Sequence, residues 1–416
     1  MWNMIVFISG KRDDYRKSEN EFESQKRGQG SGKSFMKPKG IYFDNAATSG
    51  AKPDSVINAI CNCLKYMNAN PGRSGHTLSI KAAEVIYNTR ETIGKLFNFS
   101  ETENIILTKN ATEALNIAIY GSLNAGDEVI TTSMEHNSVL RPLNHLKSQG
   151  KITLKTLLAD QSGIVTPQQI KAAITDKTRL IAVTATSNVS GTKLDLASIF
   201  KVSSAAGIKL LVDGAQGAGS MKIDLKETPF DLFAITGHKH LFGPQGTGAL
   251  IVKKPGELES FMQGGTGSLS EKTVHPDFTP DKFEAGTLNT PGYSGLTAGI
   301  HFIISQGLEN IIEYEHEMTH YLLEKLFEIE EVEVYAPDTD RVATVSFNVK
   351  GATASDISRY LDSEWDIYTR PGLHCAPEAH KTLGTFPKGT VRFSLSYFNT
   401  KEEIDIAIRA LKSFLS

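Results

Sequence analysis

Between residues 105 and 252, short apolar runs recur with helix-patterned stretches between them, and this alternation restricts the chain more than any other feature. The runs lie at 105–107, 128–131, 154–157, 180–183, 208–212, 232–235 and 250–252. Most are nearly continuous in apolar residues, as strands are when both faces of their sheet are covered. Strands separated by helices in this way build a largely parallel sheet. The expected fold is therefore α/β, with a mostly parallel seven-stranded sheet in a large domain. Such sheets bind ligands beyond the carboxyl ends of their strands, and that is where the polar residues of this chain cluster.

Upstream, residues 53–67 and 79–97 carry helical spacing. After about Pro291 the pattern changes to a helix-rich stretch, 296–328, then strand-like segments at 332–335, 343–349 and 390–398. A closing amphipathic helix begins at Thr400 and Glu403, which have capping-box spacing. These signals divide the chain into a large domain over 41–295 and a smaller α+β domain over 296–416, with 41–52 free to pack on the smaller one. Residues 1–40 are polar and glycine-rich, the composition of a mobile extension. Met4-Ile5-Val6-Phe7-Ile8 lacks the preceding basic residues and following cleavage site of a signal peptide. Gly28-Gln29-Gly30-Ser31-Gly32-Lys33-Ser34 imitates a nucleotide loop, but Arg27 stands where its first glycine is required.

Composition excludes several function classes. A net charge of −3 over 416 residues gives no electrostatic case for nucleic acid or an anionic membrane surface. No apolar run approaches membrane-spanning length. Three cysteines cannot form a disulfide framework, which points to the reducing cytoplasm. Cys61 and Cys63 lack neighbouring metal ligands and read as structural.

The chemistry is carried by polar residues at strand ends. Asn110-Ala111-Thr112-Glu113 places backbone amides and a hydroxyl at a helix start, which suits a phosphate or an ordinary cap. His136 follows a strand and could lie flat against an aromatic ring. Asp213 ends an apolar strand, where a carboxylate needs a cationic partner such as a protonated pyridine. Lys239 lies in a loop between two apolar runs, in Gly237-His238-Lys239-His240. Burying an ammonium is costly, whereas a covalent imine removes that cost and uses the amine. Phosphate cradle, stacking histidine, strand-end aspartate and interior lysine together specify pyridoxal 5'-phosphate better than any one alone.

From about Ile41 to its end the chain resembles the class V aminotransferase superfamily of fold-type I pyridoxal-phosphate enzymes, and within it the group II cysteine desulfurases and selenocysteine lyases. The resemblance rests on Phe43-Asp44-Asn45-Ala46-Ala47-Thr48, Asn110-Ala111-Thr112-Glu113-Ala114, Glu135-His136 and Ser187-Asn188-Val189-Ser190-Gly191. It continues in Val212-Asp213-Gly214-Ala215-Gln216, Gly237-His238-Lys239, Phe283-Glu284-Ala285-Gly286-Thr287, Arg370-Pro371-Gly372-Leu373-His374-Cys375-Ala376 and Val391-Arg392-Phe393-Ser394.

What the resemblance implies is specific. Lys239 would hold the cofactor covalently, Asp213 would pair with its pyridine nitrogen, His136 would stack on the ring and Gln216 would bond its phenolic oxygen. Ala111, Thr112, Thr236 and His238 would surround the phosphate, with Thr287 added by the second subunit of a homodimer. Asn188, Arg370 and Arg392 would bind the substrate, L-cysteine or L-selenocysteine. Cys375 would accept its sulfur as a persulfide, leaving L-alanine, with Arg370 and His374 as partners that lower its pKa. Group II members usually carry a histidine at Leu373 and a non-proline residue at Pro371. Those departures bear on the sulfur acceptor and the rate. The short stretch between Cys375 and Arg392 implies a constrained loop, served by an acceptor protein or a small thiol. A class V transaminase or epimerase is the other enzymatic alternative.

Overall fold

The apolar runs assemble into one seven-stranded sheet in the computed structural model of the chain, which describes residues 35–36 and 40–416 apart from Arg73 and Phe261. The extension expected over 1–40, and both motifs dismissed within it, lie outside the described residues except at 35–36 and 40.

Three two-residue strands come first: β1 (Phe35–Met36), β2 (Ile41–Tyr42) and β3 (Lys52–Pro53). Helices α1 (Asp54–Tyr66) and α2 (Thr77–Phe97) follow. The start of α2 carries no typical cap residue. His76 takes that role, its ring nitrogen accepting from Ser79 N at 3.2 Å. The sheet is then built by β4 (Ile105–Thr108), α3 (Ala111–Ser122), β5 (Glu128–Thr132), α4 (Asn137–Ser148), β6 (Thr153–Leu157), α5 (Pro167–Ala173), β7 (Thr178–Thr184), α6 (Leu196–Ala205), β8 (Lys209–Asp213), β9 (Leu232–Thr236) and β10 (Gly248–Val252). Its spatial order is β4-β10-β9-β8-β7-β5-β6. The run β9-β8-β7-β5-β6 is parallel, and β10 is antiparallel to both of its neighbours.

Alternate residues of one strand enter different hydrophobic clusters. Ile105 and Leu107 join one, Ile106 the other, so helices cover both faces. Each such side chain fully buried contributes about 1.5–3 kcal/mol. The edge strand β6 is half exposed, which is why its run, Thr153-Leu154-Lys155-Thr156-Leu157, is interrupted by polar residues.

Helix α7 (Thr290–Gln306) buries Tyr293, Leu296, Ile300 and Ile303 in the large core. The division expected between 295 and 296 falls inside it. Gly307, at φ 82°, separates it from α8 (Leu308–Phe327). Beyond lie β11 (Val332–Val334), β12 (Thr344–Val349), α9 (Ala354–Trp365), β13 (Ile367–Tyr368), β14 (Arg370–Gly372), α10 (Pro377–Thr382), β15 (Thr390–Ser394) and α11 (Lys401–Leu415). An antiparallel sheet of order β11-β12-β15-β14 packs on α8, α9 and α11 around a separate core. Ile41 and Phe43 belong to that core, and β2 pairs in parallel with β13. The strand expected over 390–398 stops at Ser394. There Asn399 Oδ1 accepts from Ser396 N at 2.9 Å and turns the chain toward the Thr400 capping box. No helix among the described residues is long and apolar enough to cross a membrane.

Candidate active site

The carboxyl ends of β7, β8 and β9 open onto a cavity of about 240 Å³, which Thr184, Asp213 and Thr236 line. Lys239 stands in the turn after β9 and reaches the same cavity. Its turn is closed on itself: Gly243 N donates to Gly237 O at 2.8 Å and Phe242 N to Lys239 O at 3.0 Å. Burial pulls the Lys239 amine down to about 8, with Asp213 opposing the shift and Arg392 and Arg370 adding to it. Asp213 moves the other way. Burial raises its carboxyl, against the Ala215 amide at 2.9 Å and Lys239. Each is thus pushed toward neutrality, as expected of groups waiting for a further partner.

Two helix N-termini face the cavity. Asn110 caps α3 by accepting from Glu113 N at 3.0 Å, and Ala111 and Thr112 line the cavity beside it. Thr112 Oγ1 lies 2.7 Å from Ser138 Oγ. His136 caps α4, its Nδ1 accepting from Ser138 N at 3.1 Å. Burial, with Lys239 and nearby arginines, pulls His136 down to about 4, so it is neutral. His238 is likewise pulled to about 4 by burial and by Lys239.

Five side-chain atoms of the cavity lining are buried with no hydrogen-bond partner: Thr186 Oγ1, Gln216 Oε1, Thr236 Oγ1, His238 Nδ1 and Arg392 Nε. Gln216 spends its amide nitrogen on Ala46 O at 2.9 Å. A buried polar atom without a partner is costly, and native proteins carry few of them. Paired helix N-termini suit an anion, Asp213 suits a ring cation, and Lys239 suits an aldehyde. This donor set fits pyridoxal phosphate.

On the other wall Arg392 of β15 stands directly across the ladder from Arg370 of β14. Like charges placed so repel and favour an anion between them. Arg392 donates to Asn188 O at 2.9 Å and to Asp44 Oδ1 at 2.6 Å, while its Nε is buried without a partner. Asn188 also donates its side-chain amide to His374 O at 2.7 Å. Asp44 is quoted in the first motif above, yet nothing in its sequence context announced it as the counter-ion of a buried arginine.

Cys375 is exposed and lies outside the cavity lining. It lines an adjoining cleft of about 490 Å³ that shares Thr112, His136 and Ser138 with the cavity. His374, expected as a partner that lowers the thiol's pKa, is buried beside Cys375. Burial, with Arg392 nearby, drives that imidazole down to about 2, and it is neutral. Thr287 also lies outside the cavity of its own chain, its Oγ1 accepting from Asn70 Nδ2 at 3.4 Å. Cys63 is buried and Cys61 exposed, and no metal-holding group of His, Cys, Asp and Glu occurs among the described residues. A further buried histidine, His380 of α10, is marked by no sequence motif.

Comparison with known proteins agrees with this geometry. Residues 41–406 match the family model described as aminotransferase class-V. A probable cysteine desulfurase of Methanothermobacter thermautotrophicus is 36% identical over 373 residues, 88% of this chain and 92% of that protein. A cysteine desulfurase of Escherichia coli O157:H7 is 34% identical over 381 residues, 89% of this chain and 92% of its own length. The apo structure of a cysteine desulfurase from Thermococcus onnurineus superposes with a TM-score of 0.83 at 32% identity, covering 90% of this chain and 94% of that one. On its sequence, its fold and the groups its cavity brings together, the chain belongs to the aminotransferase class-V family.

Proposed function

We propose that this chain is a pyridoxal-phosphate-dependent cysteine desulfurase that moves the sulfur of L-cysteine onto Cys375 and releases L-alanine. The observation that carries the proposal is the sharing of one cavity by Lys239, Asp213 and Arg392, with Cys375 in the cleft beside it. Lys239 would hold the cofactor, Asp213 its ring nitrogen, and Ala111, Thr112, Thr236 and His238 its phosphate. The free Oε1 of Gln216 suits a donating hydroxyl on the ring. His136, neutral and fixed by Ser138, would lie against the ring face. When bound, the cofactor supplies an electron sink for the substrate's α-carbon.

Arg392, Arg370 and Asn188 would bind the substrate carboxylate and orient the α-proton toward the Lys239 amine, which removes it. Cys375 as thiolate then attacks the substrate sulfur. A sulfur–sulfur bond forms, the carbon–sulfur bond breaks, and the three-carbon product leaves as alanine. The exposed persulfide would pass to a small thiol or an acceptor protein. Thr287 would complete the phosphate site of a second subunit in a homodimer. Three unpaired cysteines favour the cytoplasm.

A second reading, selenocysteine lyase, is favoured by the placement of Cys375 beside the cavity and not within it. Alanine and sulfide formation from L-cysteine, with and without reductant, tests the first. With reductant, which reduces the persulfide to sulfide, both products should appear in equal amounts with wild-type protein. Without it, alanine should stop at about one per Cys375, with the sulfur held as persulfide. In Cys375→Ala both should fall to background. Selenide release that survives in Cys375→Ala would favour the second, and a keto acid or racemised product would reject both.

A further inference from the structure

Cys375 sits in a loop whose backbone is strained and whose anchors can be traced atom by atom. His374 and Cys375 both have left-handed backbone, at φ 49° and 57°, a region that residues other than glycine, asparagine, aspartate and histidine seldom occupy, so the strain falls mainly on Cys375. The carbonyl of His374 accepts from Asn188 Nδ2 at 2.7 Å, and that of Cys375 from Asn137 N at 2.8 Å. The His374 ring is held by a chain of hydrogen bonds that runs away from the cavity. Its Nε2 lies 3.1 Å from Arg370 O, and a carbonyl can only accept, so Nε2 carries the proton. A neutral ring then leaves Nδ1 bare. His380 Nε2, 3.2 Å from that nitrogen, must therefore donate to it. His380 Nδ1 is bare in turn and accepts from the Thr385 hydroxyl at 2.7 Å. Both rings are buried, His380 completely and His374 with 4% exposure. The carbonyls of His374 and Cys375 and both imidazoles are thus tied, while the thiol side chain is exposed.

We infer that His380 is a positioning residue for Cys375: through His374 it holds the strained loop that presents the thiol to the cleft beside the cavity. The inference rests on the reading of Cys375 as sulfur acceptor, and nothing in the comparisons assigns His380 a role. His380 touches neither the cavity nor the cleft, so it acts only through its neighbour. Its direction of donation is one-way, which makes the role testable by chemistry and not by volume alone. Phenylalanine fills the space without donating. Glutamine can present an amide N–H to His374, and Thr385 can then donate to the main-chain oxygen of residue 380, already 3.3 Å away.

The test uses holoenzyme in a Cys61→Ser background, which removes the other exposed thiol. The alkylation rate of Cys375 by iodoacetamide is read by mass spectrometry, alongside kcat and KM for L-cysteine, thermal stability and cofactor absorbance. In His380→Phe the alkylation rate should shift several-fold, and kcat should fall on the order of 10- to 100-fold, the cost of a misplaced reacting group. KM should stay within about 2-fold, because the His380 ring bonds only His374 and Thr385 and none of the residues that would bind the carboxylate. His380→Gln should restore most of both losses. Equal alkylation in all three proteins overturns the inference, as does a glutamine variant no better than phenylalanine at wild-type stability. Should His380→Phe fail to fold, Thr385→Val decides the matter: a smaller change in the same direction supports the inference and none overturns it. Failure of wild-type protein to make alanine removes the desulfurase reading, while the alkylation measurement still judges His380.

Discussion

Lys239 shows how far one side chain's surroundings set its chemistry. Burial favours the uncharged amine, so its pKa drops from 10.5 to about 8, although Asp213 pulls it back. Below that value the amine is an ammonium and cannot attack an aldehyde; above it the lone pair is free. Adding pyridoxal phosphate to apoprotein and trapping with borohydride should therefore give a Lys239 adduct whose yield rises through about pH 8. A midpoint near the ordinary lysine value would contradict the placement. The folded state binds fewer protons than the unfolded one between the two values, so this residue makes the apoprotein more stable as pH climbs across that window. Glu135, raised by burial to about 8, titrates in the same range. The adduct on Lys239 is thus the cleaner measurement.

At the level of elements, the loop after β7 joins the two cores through backbone as well as side chains. Gly191 N donates to Ser187 O at 2.9 Å, and Val342 N donates to Gly191 O at 3.0 Å just before β12. Gly191 has φ 78°, and a Cβ there would meet Thr344 O at 2.6 Å and Val342 O at 2.9 Å. Neither backbone oxygen can swing aside. Gly191→Ala should cost about 1–3 kcal/mol, seen in thermal unfolding. It should also raise KM for L-cysteine, since Asn188 is on the same loop and supports both Arg392 and His374. An unchanged melting temperature would show that the loop yields easily. The sequence marked this loop only as a family motif. Its contact with β12 joins segments roughly 150 residues apart, beyond any local pattern.

For the whole molecule, the outstanding feature is the apolar surface left in solvent by α1 and α2. Leu64, Tyr66, Leu78 and Tyr87 are all exposed, Tyr66 by 66%. Together with the position of Thr287 outside its own cavity, this surface fits the proposed homodimer. Sedimentation should find a dimer, and a Leu64→Asp, Tyr66→Asp double variant should be a folded monomer with weakened cofactor binding and lost activity. A fully active monomeric wild type would sink the proposal.

The alternation of apolar runs, the capping box at Thr400 and the strand-end positions of Asp213, Thr236 and Lys239 were all legible in the chain itself, because period and local chemistry operate over a few residues. Tertiary structure alone decided the rest. It paired Asp44 with Arg392, neutralised His374 through burial, set Cys375 in a neighbouring cleft and linked His380 to the loop that carries it. Charge state and hydrogen-bond direction depend on which distant groups share a dry interior, and only the folded chain brings those groups together.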